Sequence, residues 1–383
     1  MPETISEPIV PNFDSIPDLR AGLEAKRNFD QRLNLYPRDG SELLGQVEEQ
    51  IAHLTGVEPD QALAYNTGMS AVTEAIDVGL KRADSEIPTV AVAQETYSQT
   101  QCYVNGHLQQ TGNRIVYFDS GDPEAVAEML VRHQPDVVVV ETVANYTGVP
   151  VLDTDTLLRK SQEQERPPLL VIDNTLPLST AQPLSEKIYP EDKVIVVESG
   201  TKSYTFNAEQ LGIAFTRNEE LITYLRQLRR TRGSIPGAGS LERISSLLPE
   251  DQVIFDKRNF SLYRSTAAIA IQLAAAAEHD DYNIYHPILP NHENHDYYRQ
   301  AYPHGGTPVF YVVSNRRDRD QYDIGELLWT HPGVREQTRL GQSFGFEHTR
   351  IVTDENLPQV RIAGGSETDG EALGEAMAEA LYS

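Results

Sequence analysis

Two hydrophobic periods alternate along this chain. Short apolar runs, all but the first containing valine or isoleucine, fall at residues 62–65, 89–92, 114–118, 137–140, 169–172 and 194–197. Such runs read as strands, the valine-rich ones buried on both faces. Between them, apolar positions recur at helical spacing. Leu43, Leu44, Val47, Ile51 and Leu54 form one such stripe, which Ser41 caps and Gly56 ends. Another follows Asn66-Thr67-Gly68-Met69-Ser70 and carries Val72, Ala75, Ile76 and Leu80. Further helices are predicted over 123–133, 153–164 and 219–230. Strands separated by helices imply parallel pairing through right-handed crossovers, which makes the fold class α/β.

The pattern changes after residue 233. Residues 234–246, rich in Gly and Ser, read as a crossing between domains. A helix over 261–278 opens a smaller C-terminal unit, with strands at 308–313 and 359–363 and a last helix over 371–381. Residues 1–30 lack a clear period and read as an extended arm with a short helix over 19–26. The expected division is an arm over 1–45, a mostly parallel large domain over 46–235, and a smaller α+β domain over 236–383.

Bulk properties narrow the class. At 383 residues the chain exceeds one ordinary core. No apolar run reaches the roughly 18 residues of a membrane span, and the acidic, proline-containing residues 1–14 are unlike a signal peptide. Cys102 is the only cysteine, so there is no internal disulfide framework or thiolate metal cluster. It reads as a buried small hydrophobe. Together these features predict a cytoplasmic protein. A net charge of −25 argues against a nucleic-acid partner.

The candidate chemistry centres on Lys202. The buried run Val194–Val197 is followed by Glu198-Ser199-Gly200-Thr201-Lys202, which places an amine and two hydroxyls at the carboxyl end of a strand. Ligands bind there in open α/β sheets. A lysine beside phosphate-binding hydroxyls points to a Schiff-base lysine holding pyridoxal phosphate (PLP); a surface loop lysine is the alternative. Tyr97, Asn145 and Asp173 also follow strand ends. The small residues opening the helix after Asn66 offer free amides to an anion, or simply cap it.

Assembled in order, these residues resemble the Cys/Met-metabolism family of PLP enzymes, the cystathionine γ-synthase and γ-lyase group, from about Leu33 onward. Tyr36-Pro37-Arg38 resembles the family's Tyr-x-Arg, and Gly68-Met69-Ser70-Ala71 its Ser-Gly-Met-Ala-Ala phosphate loop. Tyr97-Ser98-Gln99-Thr100 resembles Tyr-Gly-Gly-Thr, and Glu141-Thr142-Val143-Ala144-Asn145 the Glu-x-x-x-Asn segment. Asp173-Asn174-Thr175 matches Asp-Asn-Thr, and Ser199-Gly200-Thr201-Lys202 resembles Ser-x-Thr-Lys. Tyr285 to His292 is similar to Tyr-Pro-Gly-Leu-Pro-x-His. Ser343-Phe344-Gly345 and Val360-Arg361-Ile362 resemble Ser-Leu-Gly and Val-Arg-Leu.

The resemblance implies fold type I, a PLP cofactor, an amino-acid substrate and a homotetramer built from catalytic dimers. It implies that Lys202 holds the cofactor and acts as general base, Asp173 pairs with the ring nitrogen, and Tyr97 stacks on the ring. Gly68, Met69, Ser199 and Thr201 would cradle the phosphate, with Tyr36 and Arg38 reaching it from a partner chain. Asn145 would face the cofactor hydroxyl, and Arg361 and Ser343 would hold the substrate carboxylate. The departures fall on the substrate side. Gln99 replaces a glycine beside the leaving-group pocket, where its amide would fill space and select a polar substituent. Gln342 sits where members vary with substrate preference. Phe206-Asn207-Ala208-Glu209 replaces Gly-His-x-Asp, and the 343–361 segment is short. The expected activity is a lyase that removes a β- or γ-substituent. A γ-replacement synthase, a fold type I aminotransferase and a PLP-binding protein without turnover stay open.

Overall fold

The computed structural model describes residues 41–181, 183–277, 281–315, 321–353 and 359–382. The arm over 1–40, with its expected short helix, lies outside them.

Two sheets organise the chain. The larger has seven strands: β1 (Ala62–Tyr65), β2 (Thr89–Ala93), β3 (Arg114–Phe118), β4 (Val137–Glu141), β5 (Leu169–Asp173), β6 (Val194–Ser199) and β7 (Gly212–Phe215), in the order β1-β7-β6-β5-β4-β2-β3. Strands β6, β5, β4, β2 and β3 run parallel. Strand β7 runs antiparallel to both β6 and β1. The sheet is therefore mixed at this end, where the sequence pattern predicted parallel pairing. No helical crossover separates β6 from β7: a single helical turn, Gly200–Ser203, and a short loop turn the chain straight back. That reversal carries Lys202.

Helices cover both faces. The first core lies under α1 (Glu42–Thr55), whose Val47, Ile51 and Leu54 are buried where the apolar stripe placed them. Ser41 Oγ accepts from Leu44 N, and Gly56 closes the helix in the left-handed region at φ 73°. The opposite core packs α2 (Gly68–Lys81) against β2, β4, β5, β6 and the helix Glu219–Arg232.

The smaller sheet has five strands, in the order β10 (Thr338–Leu340), β11 (Thr349–Thr353), β12 (Gln359–Ala363), β9 (Val309–Ser314) and β8 (Tyr282–Tyr285). It packs against the helices Gln252–Ala276 and Gly370–Tyr382. Among the described residues, no helix is long and apolar enough to cross a membrane.

Three expectations are refined or corrected. Residues 238–247, within the stretch read as a crossing between domains, form a helix: Leu241, Ile244 and Leu248 recur at helical spacing and join the first core despite the surrounding glycine and serine. The helix expected from 261 begins at Gln252, where the Asp251 side chain accepts from Ile254 N. Cys102 is exposed, not buried, because α3 (Ser98–Tyr103) turns it outward and buries Thr100 instead.

Candidate active site

The parallel ladder sets the positions of the candidate residues. Register places Glu141 opposite Asp173, and Asp173 opposite Val197 on β6. Glu141, Asp173 and the Lys202 turn therefore emerge at one edge of the sheet. Asp173 Oδ1 accepts from Thr175 N at 2.9 Å, and Thr175 Oγ1 accepts from Ser199 N at 2.8 Å. This chain of bonds ties the Asp173 turn to the start of the lysine turn.

Burial raises the carboxyls of both Glu141 and Asp173 above the usual carboxylate range, and the Asp173 charge adds to the rise at Glu141. Glu141 accepts from the backbone amides of Tyr97 and of Asn145, the latter at 3.1 Å. One buried carboxyl thus fixes two loops that each carry a candidate residue. Next to them Glu198, pushed up to about 7 by burial, accepts from Tyr204 Oη at 2.6 Å, Asn174 Nδ2 at 3.0 Å and Ser179 Oγ at 2.8 Å.

The Lys202 amine is half-buried. Its Nζ donates to Ser343 Oγ at 2.7 Å and lies 5.7 Å from the centre of the Phe344 ring. Burial lowers its pKa below the usual lysine value, and the nearby positive charge of Arg361 lowers it further. Arg361 Nη1 donates to Asn145 Oδ1 at 3.2 Å, and Tyr311 Oη donates to the same oxygen at 3.2 Å. The buried Nε of Arg361 has no partner among the described residues.

Gly68 and Met69 open α2 beside the lysine turn. Thr67 caps the helix, its Oγ1 accepting from Ser70 N at 3.0 Å, and its carbonyl accepts from Ala71 N. The Gly68 and Met69 amides meet no acceptor among the described residues. A Cβ on Gly68 would lie 3.1 Å from Ser199 Cβ, so a bare backbone faces Ser199 across a narrow gap.

Lys202, Ser343, Arg361 and Asn145 thus come together, and Asp173, Ser199, Gly68 and Met69 lie on adjoining turns. Thr201 spends its hydroxyl locally: its Oγ1 accepts from Leu211 N at 2.9 Å and donates to Leu211 O at 3.3 Å. Tyr97 is 42% exposed. Gln99 and Gln342 are exposed. Tyr36 and Arg38 lie outside the described residues. Three contributors have no assigned role in the sequence pattern. Glu141 stands inside a matched segment and Asn207 in one that departs from the family's, whereas Tyr311 carries no signal beyond being an aromatic in a strand.

A half-buried amine at a strand end thus lies beside unpaired helix amides, the half-buried carboxyl of Asp173 and the guanidinium of Arg361, a set that fits a phosphorylated aldehyde cofactor. The comparisons agree. The chain belongs to the Cys/Met metabolism PLP-dependent enzymes, whose sequence model matches residues 18–323. Among curated proteins, no sequence matches. A structure of cystathionine γ-synthase from Xanthomonas oryzae pv. oryzae, in complex with aminoacrylate and cysteine, superimposes with a TM-score of 0.73 at 19% identity, covering 90% of this chain and 88% of that one. CalE6 of Micromonospora echinospora, described as a cystathionine γ-lyase, gives 0.73 at 19% identity over 91% and 89%. The metB protein of Corynebacterium glutamicum gives 0.73 at 18% identity over 91% and 86%. At these identities the likeness shows the fold, which is fold type I.

Proposed function

We propose that Lys202 carries the PLP and that the enzyme eliminates a β- or γ-substituent from an L-amino acid, releasing ammonia and a 2-oxo acid. One observation carries this reading. The Lys202 amine rests on a neutral hydroxyl, Ser343, beside the unfilled edge of Arg361, and both burial and that guanidinium favour its neutral, basic form.

The residues present fit the cofactor. The free amides of Gly68 and Met69 suit its phosphate, and a side chain at Gly68 would crowd Ser199, its Cβ lying 3.1 Å from Ser199 Cβ. Burial makes a bare charge on Asp173 unfavourable, so a cationic ring nitrogen is a matching partner. When bound, PLP supplies an electron sink for negative charge on the substrate Cα. Arg361 then binds the substrate carboxylate through Nε and Nη, which orients the Cα–H bond. Lys202 Nζ, once the incoming substrate amine has displaced it, would take the Cα proton. Tyr97, open to solvent, exchanges a proton with the leaving group.

In this reading residues 46–235 hold the cofactor and 236–383 supply Arg361 and Ser343. Arm 1–45 brings Tyr36 and Arg38 to a neighbouring subunit's phosphate in a homotetramer. Gln99 and Gln342 line the outer wall and bear on the choice of leaving group.

PLP-loaded protein incubated with a panel of β- and γ-substituted amino acids should release ammonia and a 2-oxo acid with neither thiol nor acceptor added. A product formed only when thiol is supplied assigns replacement instead. Amino transfer to an added 2-oxo acid without ammonia assigns an aminotransferase. Borohydride should fix the cofactor on the Lys202 peptide, and fixation on another lysine refutes the assignment.

A further inference from the structure

We infer that Asn207 is a positioning residue that takes the hydroxyl hydrogen of Ser343, leaving the lone pair of the Lys202 amine free to capture the cofactor. The inference rests on the reading that Lys202 carries PLP.

Asn207 sits in the segment that replaces the family's Gly-His-x-Asp. It and Phe206 are both left-handed, at φ 60° and 53°. Asparagine tolerates that region better than most residues because its short polar side chain bonds to nearby backbone. The Asn207 backbone amide donates to Thr201 O at 2.7 Å, which locks the residue beneath the lysine turn.

The side chain then has only one workable orientation. Asn207 Nδ2 lies 2.9 Å from Phe344 O and 3.5 Å from Lys202 O. Carbonyl oxygens only accept, so the amide nitrogen must face them and Oδ1 must face Ser343. Ser343 Oγ donates to Asn207 Oδ1 at 3.0 Å. Serine has a single hydroxyl hydrogen. With that hydrogen committed to Asn207, Ser343 meets Lys202 Nζ only as an acceptor.

Direction matters because the reactive form of Lys202 is the neutral amine. A serine free to rotate would donate to the nitrogen lone pair, which must attack the aldehyde carbon. Capture joins that nitrogen to the aldehyde carbon with loss of one water, and no oxidant or reductant takes part. The loop over 343–345 is held against the lysine turn by other contacts as well. Arg258 Nη2 donates to Gly345 O at 2.7 Å and stacks 4.3 Å from the Phe206 ring centre. A Cβ on Gly345 would lie 2.5 Å from Lys202 O. Those contacts hold the loop in place, whereas Asn207 sets the direction of the hydrogen bond.

The test measures PLP capture by apoprotein through the absorbance change, not turnover. Asn207→Gly keeps the left-handed backbone and removes the amide. It should slow capture roughly fivefold, the fold-change of about one ordinary hydrogen bond. In a Ser343→Gly background, Asn207→Gly should cause no further loss, since Asn207 acts only through Ser343. Wild-type capture by Asn207→Gly, or an additive loss in the Ser343→Gly background, would each overturn the inference. Borohydride-fixable capture by Lys202→Ala would instead refute the assignment of Lys202 itself. If Asn207→Gly does not fold, Asn207→Ala, which also removes the amide, takes its place in both backgrounds.

Discussion

Gly212 offers the sharpest test of the phosphate turn, because it touches that turn only through backbone. A Cβ added there would lie 2.0 Å from Thr67 O, 2.4 Å from Thr67 C and 2.8 Å from Gly68 N. None of these atoms can rotate away. Ordinary contact begins at 3.4 Å, so Gly212→Ala requires a shift of about 1.4 Å at the cap of α2. The shift moves the Gly68 and Met69 amides relative to Ser199. A hydrogen bond to a charged acceptor is worth roughly 1.5–3 kcal/mol. Losing one such bond weakens PLP binding by roughly ten- to a hundredfold. Overpacking also costs about 1–3 kcal/mol of stability, read separately from the melting of the apoprotein. The assay compares PLP with pyridoxal, which lacks the phosphate. Gly212→Ala should bind PLP more weakly and pyridoxal unchanged, whereas Gly45→Ala, where a Cβ meets nothing within 4 Å, should change neither. A folded Gly212→Ala protein that keeps the wild-type preference for PLP over pyridoxal refutes the placement of the phosphate.

Two further outcomes follow from single side chains. Arg361→Lys removes the planar fork and the unpartnered Nε, so kcat/KM for amino-acid substrates should fall roughly ten- to a hundredfold with PLP capture intact; unchanged kinetics would place the substrate carboxylate elsewhere. His286 is 1% exposed, and burial pushes its pKa down from 6.5 to about 3, with His292 adding to the shift. The folded value lies below the unfolded one, so its contribution is present above pH 6.5 and is lost as pH falls towards 3. Between pH 7 and 5 that amounts to about 2 kcal/mol. His286→Asn should therefore lose less stability than wild type over that interval in denaturant titrations, and equal losses refute the assignment.

Much of this protein is readable along the chain. Strands β1, β3 and β12 and the helix Pro123–His133 fall where periodicity places them, because short apolar or aromatic runs and capping residues such as Asp122 act over a few residues. The strand-end positions of Tyr97, Asn145, Asp173 and Lys202 follow from the same local order. What escaped was set at a distance. Four residues suffice for β7, and only its pairing with β1 and β6 makes it a strand and reverses the sheet. The helix over 238–247 is polar in composition, and contact with the first core selects it. Lys202 and Ser343 are 141 residues apart, and Asn145 and Arg361 are 216 apart. No local pattern specifies which hydroxyl accepts from the lysine, or that one asparagine amide orients it. Those directions come from packing the smaller sheet's loop onto the lysine turn, where each donor must find an acceptor in a space that leaves a single arrangement.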